Sequence, residues 1–374
     1  MFNVSKFSIK PDKTKGRVYK TSNDKFRNDY QRDVGRIIHS TAFRRLKYKT
    51  QVFVNHEGDH FRTRLTHTLE VSQIARSISR YFKLNEDLTE AIALAHDLGH
   101  TPFGHAGDDA LIKASGSYFN HNDQSFRIIT FLEKVYLPFD GLNLTWETLE
   151  GIAKHNGPLK NINENSTLFS FNKNIMDLEL KTFPPLEAQV ASISDDIAYM
   201  NHDLDDGFRA GLFNPRDLNK LSFYKEIIKE YGIEADSDRF KKELVRKLIN
   251  KMVIDLIKQI ETNLNKIKPK NVNDIRNAGF NIASFSNKMK RNIFEIRLFL
   301  NKRMYNHKTV TNKTKKYKKI IENLYQLYVS NKLTIPTKWI NETYKDIKVD
   351  KKQIIIDYIS GMTDRYILKI CNKI

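Results

Sequence analysis

The stretch HTLEVSQIARSISRYF, His67 to Phe82, decides the fold. Within it Val71, Ile74, Ala75, Ile78 and Phe82 recur at spacings of three and four, the period that lines one helix face with apolar side chains. The spacing predicts a buried helix that begins beside His67. Moving outward, a second helix is expected from Asp87 to His96, with Leu88, Ala91, Ile92 and Ala95 on one face. A third, from Thr145 to His155, opens on an imperfect capping box of Thr145 and Thr148 and stops at Asn156, Gly157 and Pro158. Pro184 and Pro185 precede a long helix expected from Leu186 to about His202. The first 65 residues are mixed and charged, and Leu159 to Phe183 reads as an Asn- and Ser-rich loop.

Beyond Asn214 the chain turns Lys- and Asn-rich, with amphipathic runs from Phe240 to Lys268 and from Phe294 to Tyr305. His307 to Lys319 holds six lysines and no acid and reads as an exposed segment. Only 9 prolines and 15 glycines punctuate 374 residues, which favours helices over a turn-rich β architecture. No repeat of solenoid period is present. The expectation is all-α. It comprises an N-terminal segment, 1–60, contributing to the site, a helical core at 61–214, and a helical C-terminal region, 215–374, packed on it.

Composition narrows the class. With 40% hydrophobic and 11% aromatic residues the chain can bury a large core, which excludes a disordered tail. A single cysteine, Cys371, excludes an internal disulfide framework and a Cys-based zinc site, and suits a reducing compartment. No run reaches the roughly 18 apolar residues of a membrane helix, and the N-terminus lacks a secretory apolar run. A cytoplasmic protein without a membrane partner is expected. The net charge of +19 leaves nucleic acid, anionic small substrates or solubility as its purpose.

The densest group of reactive side chains is AHDLGHTPFGHAGDD, Ala95 to Asp109, which holds His96, Asp97, His100, His105, Asp108 and Asp109. His96 and Asp97 close an apolar helix that Gly99 and Pro102 end. Adjacent residues on a continuing helix diverge by about 100°, but at its end both can turn to one ion. A hard or borderline divalent cation accepts imidazole and carboxylate together. Two further ligands are needed, and the candidates are His67 and one of Asp195 and Asp196. Asp195, Tyr199 and Asp203 fall at i, i+4 and i+8, one stripe of the long helix, while Val190, Ile193 and Ile197 form its core side. A lone histidine or HD pair is usually structural, and an Asp pair is often a solvated helix face; the cluster is harder to dismiss.

His67, the pair His96–Asp97 and Asp195 resemble the H…HD…D signature of the HD-domain metal-dependent phosphohydrolases. Closer still is the resemblance to the deoxyguanosinetriphosphate triphosphohydrolase-like family. The segments that carry it are RDVGRIIHSTAFRRLKYKTQVF, RTRLTHTLEVSQIARSI, AHDLGHTPFGHAGDDAL, NDQSFRI, LNLTWETLEGIAKHNGP, EAQVASISDDIAYMNHDLDDG and DYISGMTDRYIL. They cover about Asp33 to Asp206 and Asp357 to Leu368.

The resemblance implies hydrolysis of a deoxynucleoside triphosphate, dGTP or dNTPs generally, to deoxynucleoside and tripolyphosphate. It implies one divalent ion, Mn, Mg, Fe, Co or Zn, held by His67, His96, Asp97 and Asp195. By the same likeness His105, Asp108 and His121 are catalytic, and Arg64 contacts phosphate. Gln51, Tyr199 and Asp203 surround the deoxyribose, with Tyr199 against the sugar leaving no room for a 2′-hydroxyl. The likeness further implies a homo-oligomer, a hexamer, and a nucleotide activator, while the net charge of +19 leaves single-stranded DNA as a regulator. Two positions depart from the family pattern: Thr101 replaces a second proline, and Asp108 replaces a different acid. The rival readings are another HD chemistry, a nucleotide monophosphatase or phosphodiesterase, and a nucleic-acid-binding regulator with a vestigial site. The C-terminal lysines lack the aromatic interleaving that stacks bases, which disfavours the regulator.

Overall fold

The computed structural model describes residues 4–22, 24–51, 61–231, 237–345 and 347–372. Residues 52–60, the end of the N-terminal segment expected to contribute to the site, lie outside the described residues, as do Val52 and Phe53 of the first family segment. Among the described residues every regular element is helical, and extended pairing is confined to two isolated bridges, Arg17 with Thr145 and Thr50 with Thr63. The protein is all-α, with additional C-terminal helices.

The His67 stretch forms the helix Arg64–Tyr81, capped by the Thr63 side chain, which accepts from Thr66 N. Its Val71, Ala75 and Ile78 are fully buried against Val190, Ile197 and Leu204 of the helix Leu186–Arg209. Burying Val71 and Ile78 stabilises the fold by roughly 1.5–3 kcal/mol each, so this face fixes how the first helix is rotated and where His67 points. Met252, Leu256 and Ile260 of the helix Asp238–Ile267 join the same core. A second core packs the helix Glu86–Ala95, through Ala91, Leu94 and Ala95, on Leu149 and Ile152 of Trp146–Ala153. A third packs Phe103, Ala110 and Leu111 on Ile321, Leu324 and Tyr325 of the helix Lys308–Val329 and on Ile355 and Ile359. The C-terminal region is therefore built into two of the three cores.

Several local expectations need correction. The long helix runs on to Arg209, past His202, because Leu204 and Phe208 continue its buried stripe. The loop from Leu159 to Phe183 contains a helix, Thr167–Asn174, whose first N–H groups at Thr167 and Leu168 donate to Asp123. His307 to Lys319 forms the first half of Lys308–Val329, with Lys315, Lys316 and Lys319 exposed and Lys318 paired to Asp109 at 2.6 Å. Thr145 caps its helix through Thr148 N, but the capping box is not closed; buried Asp33 accepts from Thr145 N and from both threonine hydroxyls.

The C-terminal segment DYISGMTDRYIL holds the site's loops. Buried Asp364 accepts from Thr50 N at 2.8 Å, from the Thr50 hydroxyl, and from Phe103 N at 2.9 Å. Lys49, fully buried, donates to the carbonyls of His100 and Ser360. These bonds tie the chain before Gln51 and the loop before His105 to one anchor more than 250 residues away.

Candidate active site

The Glu86–Ala95 helix ends in His96, whose Nδ1 lies 2.7 Å from the Ala93 carbonyl. A carbonyl only accepts, so Nδ1 carries a hydrogen and Nε2 is the nitrogen left to meet a cation. That Nε2 is buried and has no hydrogen-bond partner. It lies 3.5 Å from Asp97 Oδ1 and 3.6 Å from Asp195 Oδ1. His67 Nε2 lies 2.9 Å from the same Asp195 oxygen and 4.0 Å from Asp97 Oδ2. One donor atom each from His67, His96 and Asp97 falls within 4.8 Å of the others, a spacing that could hold a metal ion. Asp195 enters this group from the Leu186–Arg209 helix, while Asp196 turns outward to Arg297 at 2.8 Å.

The charges favour a cation here. Burial alone would lower the His96 pKa, but the carboxylates of Asp97 and Asp195 raise it to about 9. Burial pushes Asp97 up, yet His96, Arg64 and His100 hold it well below the ordinary carboxylate range. Asp195 behaves alike: burial is outweighed by His96, His155 and His67. A pair of carboxylates that draws a proton onto His96 this strongly has negative charge to neutralise, and a divalent ion does so without protonating its ligands. The orphaned His96 nitrogen and the His2Asp2 donor set fit such an ion.

A second group adjoins the first. His100 Nε2 lies 3.1 Å from Asp97 Oδ1, and its ring stacks on His121 with centroids 4.0 Å apart. Asp108 Oδ2 faces His121 Nδ1 at 3.1 Å, His105 Nδ1 at 3.4 Å and His100 Nδ1 at 3.6 Å. Burial pushes Asp108 up, but these three imidazoles hold it far below the usual carboxylate range. Burial, with Arg64 and His121 nearby, lowers His100 to about 4. Thr101 donates its hydroxyl to Asp108 Oδ1 at 2.7 Å, so the two positions that depart from the resembled pattern touch each other. His105 is the exposed member, at 65%.

Two glycines allow this turn. A Cβ at Gly99 would stand 2.1 Å from Ser125 N and 2.2 Å from the His121 carbonyl, so only glycine lets the HD loop lie against the His121–Arg127 helix. Gly104 has φ +60°, and a Cβ there would meet Arg64 Nη2 at 3.1 Å. Arg64, buried at the first position of its helix, donates through Nη1 to Asp97 at 2.9 Å.

Tyr199 and Asp203 sit further along the Asp195 helix, with Tyr305 donating its hydroxyl to Asp203 Oδ2. Burial, reinforced by Asp206 against the Tyr305 hydrogen bond, raises Asp203 to about 8. The stripe expected as acid, phenol and acid thus ends in a carboxyl that is largely protonated at neutral pH. Gln51 is buried with Oε1 unpartnered, its carbonyl beside Gly104. Three further residues enter the site without a role expected from sequence. His155 stacks on His96 and faces Asp195 at 3.6 Å, His202 meets His67, and Tyr305 comes from the C-terminal region. His155 lies in a quoted family segment beside Asn156–Gly157, so that signal was present; Tyr305 had none.

The Asp203 shift carries a stability prediction. An acid whose folded pKa lies above its unfolded value, near 3.9, keeps a proton that the unfolded chain has released. Its contribution therefore falls as pH rises from roughly 4 to 8. Asp203→Asn removes that titration, so the variant's Tm relative to the parent's should climb between pH 5 and pH 8. A constant difference across that range would contradict a buried, protonated Asp203.

The HD domain family matches residues 64–200, and the phosphohydrolase-associated domain matches residues 283–373. A protein of Rickettsia rickettsii (strain Iowa) is 45% identical over 387 residues, covering 99% of this chain and 97% of its own length. A Bartonella henselae protein is 46% identical over 373 residues, covering 97% of this chain and 93% of its own. Both carry the name deoxyguanosinetriphosphate triphosphohydrolase-like protein. The chain belongs to the deoxyguanosinetriphosphate triphosphohydrolase-like family. Membership makes it an HD-domain phosphohydrolase, and its His/Asp cluster stands where the first match covers the chain. No helix among the described residues is long and apolar enough to cross a membrane.

Proposed function

We propose that this chain hydrolyses deoxynucleoside triphosphates to deoxynucleoside and tripolyphosphate, using a divalent cation held by His67, His96, Asp97 and Asp195. The observation that carries the reading is the 3.1 Å contact between Asp97 and His100. It sets a cation-binding group directly against an imidazole–carboxylate group suited to proton transfer. The group of His100, His105, Asp108 and His121 also meets the spacing for an ion, but His121 and His105, with Nδ1 at 3.1 and 3.4 Å from one Asp108 oxygen, are better read as its hydrogen-bond donors.

A bound divalent cation would polarise a phosphoryl oxygen and acidify water. Water adds its oxygen to the α-phosphorus as the bond to the 5′-oxygen breaks. That oxygen leaves as a strongly basic alkoxide unless it gains a proton, which His105 supplies while Asp108 holds its ring. His121, on the same carboxylate, lies toward the α-phosphate. Arg64 Nε has no partner in the structure, and the guanidinium offers donors to the triphosphate beyond the one spent on Asp97. Tyr199 packs on the deoxyribose and excludes a 2′-hydroxyl, with Asp203 and Gln51 beside the sugar. The same proposal has the enzyme working as a homo-oligomer in a reducing cytoplasm, open to nucleotide activation.

The test is incubation of the protein with Mn2+ and each of the four dNTPs, singly and mixed, with nucleoside and tripolyphosphate measured. Tripolyphosphate release is expected. Orthophosphate instead would mean another HD chemistry, and inactivity on every mixture would overturn the proposal. Steep, salt-dependent binding of single-stranded DNA without turnover would favour the regulator.

A further inference from the structure

His67 Nδ1 lies 3.1 Å from Nδ1 of His202. Two ring nitrogens at that distance share one hydrogen: one donates and the other accepts. At its far side, His202 Nε2 lies 2.7 Å from Glu70 Oε2. Arg62, whose Nε is 3.0 Å from the same oxygen, keeps Glu70 a carboxylate, which only accepts. His202 Nε2 therefore carries a hydrogen. His202 is buried, which disfavours its doubly protonated form, so its Nδ1 is bare and takes the hydrogen bond from His67. With His67 neutral, as a cation-binding imidazole must be, its Nε2 is then bare, facing Asp195 Oδ1 at 2.9 Å and Asp97 Oδ2 at 4.0 Å. Acceptors crowded without a hydrogen among them repel one another, and a cation between them removes the conflict.

We propose that His202 and Glu70 form a hydrogen-bond relay that locks His67 in its cation-binding tautomer, making both of them positioning residues for the centre. The inference rests on reading His67, His96, Asp97 and Asp195 as a cation site. The relay uses the two helices that supply its ends. Glu70 stands one turn after His67 on Arg64–Tyr81, and His202 two turns after Asp195 on Leu186–Arg209. Neighbouring Asp205 and Asp206 engage Arg62, at 2.7 and 3.4 Å, and so hold the relay's outer end. Outer partners of metal-bound histidines set ring orientation and basicity, and losing one commonly weakens metal binding 10- to 100-fold.

The full-length protein, stripped of metal with a chelator, is titrated with Mn2+ by calorimetry, and each variant's melting curve is recorded in chelator. His202→Leu is expected to bind Mn2+ about 10- to 100-fold more weakly. His202→Asn places an amide oxygen near the position of Nδ1 and should recover most of that loss. His202→Gln reaches toward Glu70 instead and should recover little. Glu70→Ala, a change at a half-exposed residue, should weaken binding roughly 10-fold without unfolding the chain. It decides the matter if His202→Leu does not fold. Parental affinity in both His202→Leu and Glu70→Ala overturns the relay, as does equal recovery by Asn and Gln, which would reduce His202 to packing. A parent protein that binds no Mn2+ overturns the cation site itself, a separate result.

Discussion

Asp97→Asn is expected to lose measurable Mn2+ binding and nucleotide turnover together, the largest effect of any single substitution in this protein. Asp97 is the point where the two groups of the site meet. Its Oδ2 accepts from Arg64 at 2.9 Å and its Oδ1 faces His100 at 3.1 Å, with His67 and His96 alongside. Asparagine keeps the shape but replaces one acceptor with a donor and removes the charge. Either Arg64 or His100 then faces an N–H group, and the cation loses an anionic ligand. Affinity should fall by roughly 100-fold or more, beyond the usual loss of an outer partner. The substitution also strands a buried guanidinium. Breaking a buried ion pair from one side costs about 3–5 kcal/mol, so the urea midpoint should drop even with chelator present. Calorimetric titration and a denaturation curve measure the two losses independently. Parental Mn2+ affinity in a folded Asp97→Asn protein would remove Asp97 from the ligand set.

How far such a site can be read before folding depends on whether its signals are local. The apolar period through Val71, Ala75 and Ile78 is local, and it places the buried helix beside His67. The stripe Asp195–Tyr199–Asp203 is likewise set by helix geometry, and Asp195 and Asp196 point in different directions because adjacent helical residues must. The Thr167–Asn174 helix is different: two of its first N–H groups rely on Asp123, more than 40 residues earlier. Asp33 likewise replaces the second half of the Thr145 cap from more than 110 residues away. Tyr305 reaches Asp203 from a π-helical turn in a Lys- and Asn-rich region. Composition there points to surface, and only tertiary packing turns the phenol inward. His202 was visible as a residue but not as a partner, since its value lies in which nitrogen of His67 it meets. Charge state is the least legible property: Asp203 reads as an ionised acid, and burial raises its pKa to about 8.

His105→Ala is the second large effect, and it separates proton transfer from cation binding. His105 is the first residue of its helix, 65% exposed, and its Nδ1 faces Asp108 rather than the His67–His96–Asp97 group. Removing it should leave fold and Mn2+ affinity unchanged. Turnover should fall by roughly 10²–10⁴-fold, the usual worth of a positioned general acid. The loss should depend on the leaving group. A nucleoside 5′-oxygen needs a proton as its bond to phosphorus breaks, whereas an aryl triphosphate releases a stabilised phenolate that does not. The variant is therefore expected to lose far less rate on the aryl substrate than on a dNTP. Asp108→Asn should follow the same pattern more weakly, since it acts through the His105 ring. Full activity of His105→Ala on dNTPs would sink the assignment. Lost Mn2+ binding would make His105 a ligand, and equal losses on both substrates would make it a binding residue rather than an acid.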